Sequence, residues 1–204
     1  MDLSSINQFF GNIDLQLLDL ILQKTFHSDM KVFDAGCGEG RNLMYFLNSG
    51  YWVGGVDQEP SAIRNMRFVA GSVRPDLDKD NFQVADISSI PFESDIFDLV
   101  IASRILHFAK DQQQFMSMVS EVVRCLKPGG VLYVSSATNI GLENQLRPDP
   151  LGICKWPDGS SRFVLTYQCI DRIIDQYALS FLKPWKVEIS KDNGGTCTLL
   201  LTLE

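Results

Sequence analysis

No run of about 18 apolar residues occurs in this 204-residue sequence, so no membrane-spanning helix is expected. The opening MDLSSINQFFG has no basic stretch leading into an apolar one, so a secretory signal is not expected either. Clustered lysine and arginine are also missing. Eighteen basic against 25 acidic residues give a net charge of −7, which argues against nucleic acid as a partner. The five cysteines are odd in number and form no CxxC pair or Cys/His spacing. Reduced thiols of a cytoplasmic protein are therefore expected, with no metal. Internal repeats, low-complexity tracts and linkers are absent as well. What remains, 45% hydrophobic and 21% charged, is ordinary for a globular protein. Its length suits one domain, 1–204, with a sizeable core.

Along the chain, strand-like apolar runs alternate with amphipathic helical ones, as in a parallel sheet covered by helices. KVFDA (31–35) reads as the first strand. Residues 41–48 follow as a helix with Leu43, Met44, Phe46 and Leu47 on its apolar side, stopped by Gly50. YWVGGVD (51–57) is the second strand. Residues 61–73 form a helix that turns Ile63, Met66, Ala70 and Val73 inward. NFQVAD and FDLVIAS supply the third and fourth strands. The helix at 111–126 has Phe115, Val119, Val122 and Leu126 inward, and KPGG (127–130) ends it before VLYVSS, the fifth strand.

The C-terminal end leaves this alternation. Residues 185–203 hold two strands joined by Asp192-Asn193-Gly194-Gly195, a hairpin signal. In the first, Lys186, Glu188 and Ser190 alternate with apolar residues, which suits an exposed edge. The second, TLLLTL, is apolar nearly throughout, as in a strand covered on both faces. The last strand is thus expected antiparallel, inserted between the fifth and sixth.

The bend between the first strand and its helix, DAGCGEGRN, alternates Gly36, Gly38 and Gly40. A dinucleotide-binding turn would place its third glycine at position 41, which is Arg. The tighter bend, with Asp34 before it, suits a cationic ligand better than a pyrophosphate. Asp57 ends the second strand, where a carboxylate can accept both hydroxyls of a ribose. Asp86 ends the third, where it can accept from an adenine amino group. Each acid alone is explained by a turn or a cap. Three along one sheet edge, beside a glycine bend, point to one ligand.

With VFDAGCGEG, GVDQEPSAI, VADISSIPF, FDLVIASRILHF and VVRCLKPGGVLYVSS in this order, the chain resembles the class I S-adenosylmethionine-dependent methyltransferases from Lys31 to Leu203. GCGEGRNLMYFL is similar to their type 11 and tellurite-resistance branches. The resemblance implies an α/β, Rossmann-like seven-stranded mixed sheet of order 3-2-1-4-5-7-6, strand 7 antiparallel, with helices on both faces. It implies S-adenosyl-L-methionine as cofactor, with Gly36, Gly38 and Gly40 lining its methionine half and Asp34 orienting the amino group through water. Asp57 would hold the ribose, Asp86 with Ile87 the adenine, and the backbone near Ser103 the methionine end. Cys37, Asn42 and Gln58 belong to the same expected set, Cys37 as a packed residue rather than a nucleophile. A leading segment, 1–28, would fold over the cofactor as a helical lid.

For chemistry, His107 in ILHF is the candidate base, because an imidazole ordinarily titrates near neutrality. His27 lies in a plain connection and carries no expected role. No cysteine follows a proline, as cytosine C5 methylation would need, and SRILHF replaces the Pro-Pro signature of adenine or glutamine N-methylation. A small-molecule acceptor is expected. Alternatives are a protein acceptor or a non-catalytic module that binds the cofactor and regulates a partner. Phe9 and Phe10, ahead of a helix with Leu17, Leu18, Ile21 and Leu22 inward, are candidate acceptor contacts with Phe108. The Pro- and Gly-rich insertion at 136–167 is a second substrate-side segment. Its Arg147, Trp156 and Arg162 suggest an anionic or partly aromatic acceptor. The sequence assigns no oligomeric state.

Overall fold

Alternate residues of the central strands divide between two apolar layers, as the two-residue period of a strand requires. In the fourth strand, Leu99 and Ile101 join Val32, Val53, Tyr133 and Leu200 on one face, whereas Val100 and Ala102 join Phe33, Leu132, Val134 and Leu199 on the other. The computed structural model describes residues 10–156, 158–190 and 194–204. Its first half contains α1 (Leu15–Leu22), β1 (Lys31–Ala35), α2 (Met44–Asn48), β2 (Trp52–Asp57), α3 (Pro60–Val73), β3 (Phe82–Val84) and β4 (Phe97–Ser103). Then follow α4 (Gln112–Cys125), β5 (Leu126–Thr138), β6 (Ile153–Lys155), β7 (Ser161–Phe163), α5 (Tyr167–Tyr177), β8 (Leu179–Phe181), β9 (Lys186–Ser190) and β10 (Gly194–Leu203).

The main sheet runs β3-β2-β1-β4-β5-β10-β8, with β9 also on β10. Strands β1 to β5 pair in parallel, and β10 lies antiparallel against β5 as the hairpin pattern predicts. The sheet has eight strands rather than seven, because the expected sixth strand is split. β8 pairs with Leu201–Leu203 and β9 with Gly194–Thr198, both antiparallel. Pro184 lies between them and has no N–H to give to a ladder. In the hairpin turn, Asp192 and Asn193 lie outside the described residues.

Local chemistry fixes several boundaries. Asp111 caps α4 by accepting from the Gln114 N–H at 2.7 Å. Residues 41–43 are turns, so α2 starts at Met44, later than the apolar spacing suggests. Residues 127–130 bulge from β5: Leu126 pairs with Phe97 and Val131 with Leu99, while Lys127 reaches Asp98 at 2.7 Å. In α1 the inward residues are Leu17, Leu20 and Ile21; Leu22, expected inside, is 67% exposed. The 136–167 insertion holds the β6–β7 hairpin on a small apolar cluster of Ala137, Leu146, Cys154, Trp156 and Val164.

Phe115 of α4 stacks on Phe163 of β7 at 4.4 Å, both rings fully buried, which ties that insertion to the main core. Phe115→Ala is expected to cost about 3–5 kcal/mol of stability by urea denaturation.

Candidate functional site

β1 and β4 are neighbours although two strands separate them in sequence. The chain leaves them in opposite directions, so a crevice opens outside their carboxyl ends, where open α/β sheets bind ligands. The glycine bend fills the near side. Gly36 and Cys37 both donate to the Val56 carbonyl at 2.9 Å, and Gly38 N–H donates to Asp57 Oδ2 at 2.9 Å. Asp57 Oδ1 accepts from Glu59 N–H at 2.9 Å, so one carboxylate braces both the bend and the start of α3. Gly38 has φ +51°, and a Cβ there would meet nothing within 4 Å, so the bend faces open space.

Asp34 stands under this bend, 1% exposed, and its Oδ1 has no hydrogen-bond partner. Burial pushes its carboxyl up from the usual 3.8 to about 7; nearby Arg41 opposes this, Asp57 adds to it, and the Asn42 side chain opposes it by hydrogen bonding. An orphaned buried carboxylate oxygen is a place made for a cation.

A cavity of about 380 Å³ continues from the bend along the strand tips. It is lined by Gly36, Asp57, Gln58, Asp86, Ile87 and Phe108 among the expected residues, and by Ile105, Lys110, Gln114 and Met118 besides. Asp86 Oδ1 accepts from the N–H and hydroxyl of Ser88 at 2.8 and 2.6 Å, and these bonds hold its carboxyl below the usual range. Cys37 packs against Gly55, and burial pushes its thiol well above the ordinary range, which fits a packed residue.

Ser103, at the end of β4, is buried. Its hydroxyl donates to Asp14 Oδ2 at 3.2 Å and accepts from Arg41 at 3.1 Å. Asp14 also accepts from Tyr133 at 2.8 Å and donates its N–H to Asn42 Oδ1 at 3.0 Å. The foot of α1 is thereby tied to the bend and to β4.

The expected acceptor contacts are not brought together. Phe10 stacks on Tyr45 of α2 at 5.7 Å rather than over the cavity, and Phe9 lies outside the described residues. Arg147 is exposed and lines none of the cavities described. Trp156, 4% exposed, lies in the core of the insertion, beneath the Arg162 guanidinium at 5.0 Å. His107, 8% exposed, does not line the large cavity. It lines a smaller one of about 140 Å³ with Arg104 and Arg162. Burial, then Arg162 and Arg104, push its imidazole down to about 4.

The residues that sequence reasoning missed fall into two groups. Gln114 and Met118 lie one helical turn apart on α4, a spacing that placed only the core-facing Phe115, Val119 and Val122. Arg104 follows directly after β4, a position that itself marks the carboxyl edge.

Residues 26–181 match the family described as "Methyltransferase domain". A probable S-adenosylmethionine-dependent methyltransferase of Mycolicibacterium smegmatis is 29% identical over 64% of this chain and 49% of its own length. The 2-heptyl-1-hydroxyquinolin-4(1H)-one methyltransferase of Mycobacteroides abscessus is 35% identical over 48% of this chain and 41% of its own. A solved Pyrococcus horikoshii protein superposes with TM-score 0.71 at 19% identity, over 97% of this chain and 96% of its own, and shares the fold. The chain belongs to the methyltransferase domain family, in the class I, S-adenosylmethionine-dependent group. S-adenosylmethionine is its cofactor, and the buried Oδ1 of Asp34, which has no hydrogen-bond partner, fits that cation. The chain spans less than half the length of the first curated relatives it matches. No described helix is long and apolar enough to cross a membrane, and no cluster of metal-ligating side chains occurs among the described residues.

Proposed function

We propose that the protein methylates a small-molecule acceptor, a reading carried by buried Asp34 behind the glycine bend, whose Oδ1 has no hydrogen-bond partner. When bound, S-adenosylmethionine supplies an electrophilic methyl group on a sulfonium, open to in-line displacement. Asp34 receives the amino group of its methionine half. Asp57 has lone pairs left for the ribose hydroxyls beyond its two backbone partners. Asp86 with Ile87 takes the adenine, between Ile105 and Met118. The bend and the backbone at Ser103 hold the methionine end, and the leading segment closes over it through Asp14. The acceptor side lies past β4 and β5, where two cavities of about 140 and 240 Å³ meet at Arg104 and Thr196.

The chain mainly orients the two partners and excludes water, which is the protein's usual share of such chemistry. An imidazole held near 4 stays neutral across the working pH range and has little affinity for a proton. His107 therefore serves as a hydrogen-bonding wall rather than a strong base. His107→Gln is expected to keep at least about a tenth of wild-type turnover, since general-base removal would cost ~100-fold or more. The wild-type rate should show no inflection near pH 6.5 from this group. Steady-state rates from pH 5 to 9 test both.

Release of S-adenosylhomocysteine in the presence of a small-molecule panel tests the main reading. Turnover with one or a few related compounds is expected. Cofactor binding with no turnover on small molecules, and turnover on a protein extract, would overturn it.

A further inference from the structure

The cavity beside His107 is lined by two arginines and no acid. Its lining is Arg104, His107, Ser136, Ala137, Arg162 and Thr196, in a chain of net charge −7. Arg104 occupies the left-handed region at φ +58°, which costs a non-glycine residue about 1 kcal/mol and is seldom kept without a reason. Its N–H is pinned to the Ser135 carbonyl at 2.7 Å. Arg104 is exposed, and among the described residues no carboxylate pairs with its guanidinium, so it is free to receive an anion from solution. Arg162 is placed from the other side. It lies over the ring of buried Trp156, bonds to Asp158 and Ser160, and Gly194 packs so closely on Trp156 that a Cβ would lie 2.5 Å from it. In the lining of the same cavity, Nδ1 of buried His107 has no hydrogen-bond partner.

Resting on the methyltransferase reading, we infer that the acceptor carries a carboxylate, and that Arg104 and Arg162 receive it in this cavity with the rest of the molecule turned toward the transferred methyl. A monoanion matches the charge on offer. Asp158 already takes one side of Arg162, neutral His107 adds no charge, and Arg104 is shared with the adjoining cavity that Asp14 and Glu188 also line, so the two guanidiniums together offer less than two full charges. At about 140 Å³ it admits an acid group and the atoms next to it, not a nucleotide. Phe108, 66% exposed with its ring 4.4 Å from His107, offers an apolar face to the body of the ligand.

The test uses wild-type protein saturated with S-adenosylhomocysteine and titrated calorimetrically with benzoate, benzamide and inorganic phosphate. Benzoate is expected to bind at least tenfold more tightly than benzamide and more tightly than phosphate. Arg104→Gln and Arg162→Gln should each lose at least tenfold in benzoate affinity. Arg147→Gln, at an exposed position outside these cavities, should lose none. All three variants should bind S-adenosylhomocysteine as the wild type does, which shows that they are folded. Equal binding of benzamide, full benzoate affinity in Arg104→Gln, or no benzoate binding at all would overturn the inference. Tighter binding of phosphate would replace it with a phosphorylated acceptor. Failure of wild-type protein to bind S-adenosylhomocysteine would instead remove the methyltransferase reading beneath it.

Discussion

Asparagine in place of Asp34 is expected to weaken S-adenosylmethionine binding at least thirtyfold while making the ligand-free protein more stable above pH 7. Both effects have one origin. The carboxyl titrates near 7 in the folded chain, against 3.8 ordinarily, chiefly because it is buried. Between those values the folded state binds more protons than the unfolded one, so stability falls as pH rises, and the full deficit is present above pH 7. A shift of this size corresponds to a deficit on the order of 4 kcal/mol. The neutral amide removes it, so thermal melts of the variant should exceed wild type at pH 8 and converge with it below about pH 4. The bound cation is what the ionised form awaits, and losing one partner of a buried charged pair costs roughly 2–5 kcal/mol. By the same linkage, wild-type affinity for the cofactor should rise about tenfold per pH unit up to 7 and then level off. Equal cofactor affinity in the variant and wild type would contradict this role for Asp34.

The second large effect is expected at Gly40. Its φ is +83°, and an added Cβ would stand 2.2 Å from Sδ of Met66, a residue with no exposed surface. Gly40→Ala therefore carries a backbone cost of about 1–2 kcal/mol and an overpacking cost of about 1–3 kcal/mol. Urea denaturation should show a loss of about 2–5 kcal/mol from these two causes. The bend should shift and cofactor binding fall with it. Met66→Ala alone leaves a cavity and costs about 2–5 kcal/mol. In the double variant the vacated space accepts the new methyl group, so the pair should be less harmful than the sum by about 0.5–3 kcal/mol. Strict additivity would mean that the clash is relieved elsewhere.

Much of the scaffold was legible because local signals agreed with the tertiary structure. FDLVIAS matches β4 residue for residue, and the apolar TLLLTL segment does lie inside the sheet. The glycine bend and the strand-tip acids Asp57 and Asp86 gather at one cavity. What was not legible depended on partners distant in sequence. The two-residue period of residues 185–190 marked an edge strand but not the interruption at Pro184 that divides it from β8. In α1, Leu17 and Ile21 fit an apolar stripe either with Leu18 and Leu22 or with Leu20, and only packing in the fold selects Leu20. Trp156 and Arg147 share a polar segment with Arg162, yet Trp156 is buried in the small cluster under the β6–β7 hairpin and Arg147, ahead of the hairpin, is exposed. Arg104 drew no notice because an arginine after a strand is common; its left-handed backbone and its missing counter-ion exist only in the fold.

Calorimetric titration of the purified protein with S-adenosylhomocysteine, with NADH in a parallel cell, tests the central claim most directly. Three carboxylates at neighbouring strand tips, with a bend too tight for a pyrophosphate, predict saturable one-to-one heat for the sulfur nucleoside and none for the dinucleotide. No heat from S-adenosylhomocysteine, or heat from NADH alone, would contradict it.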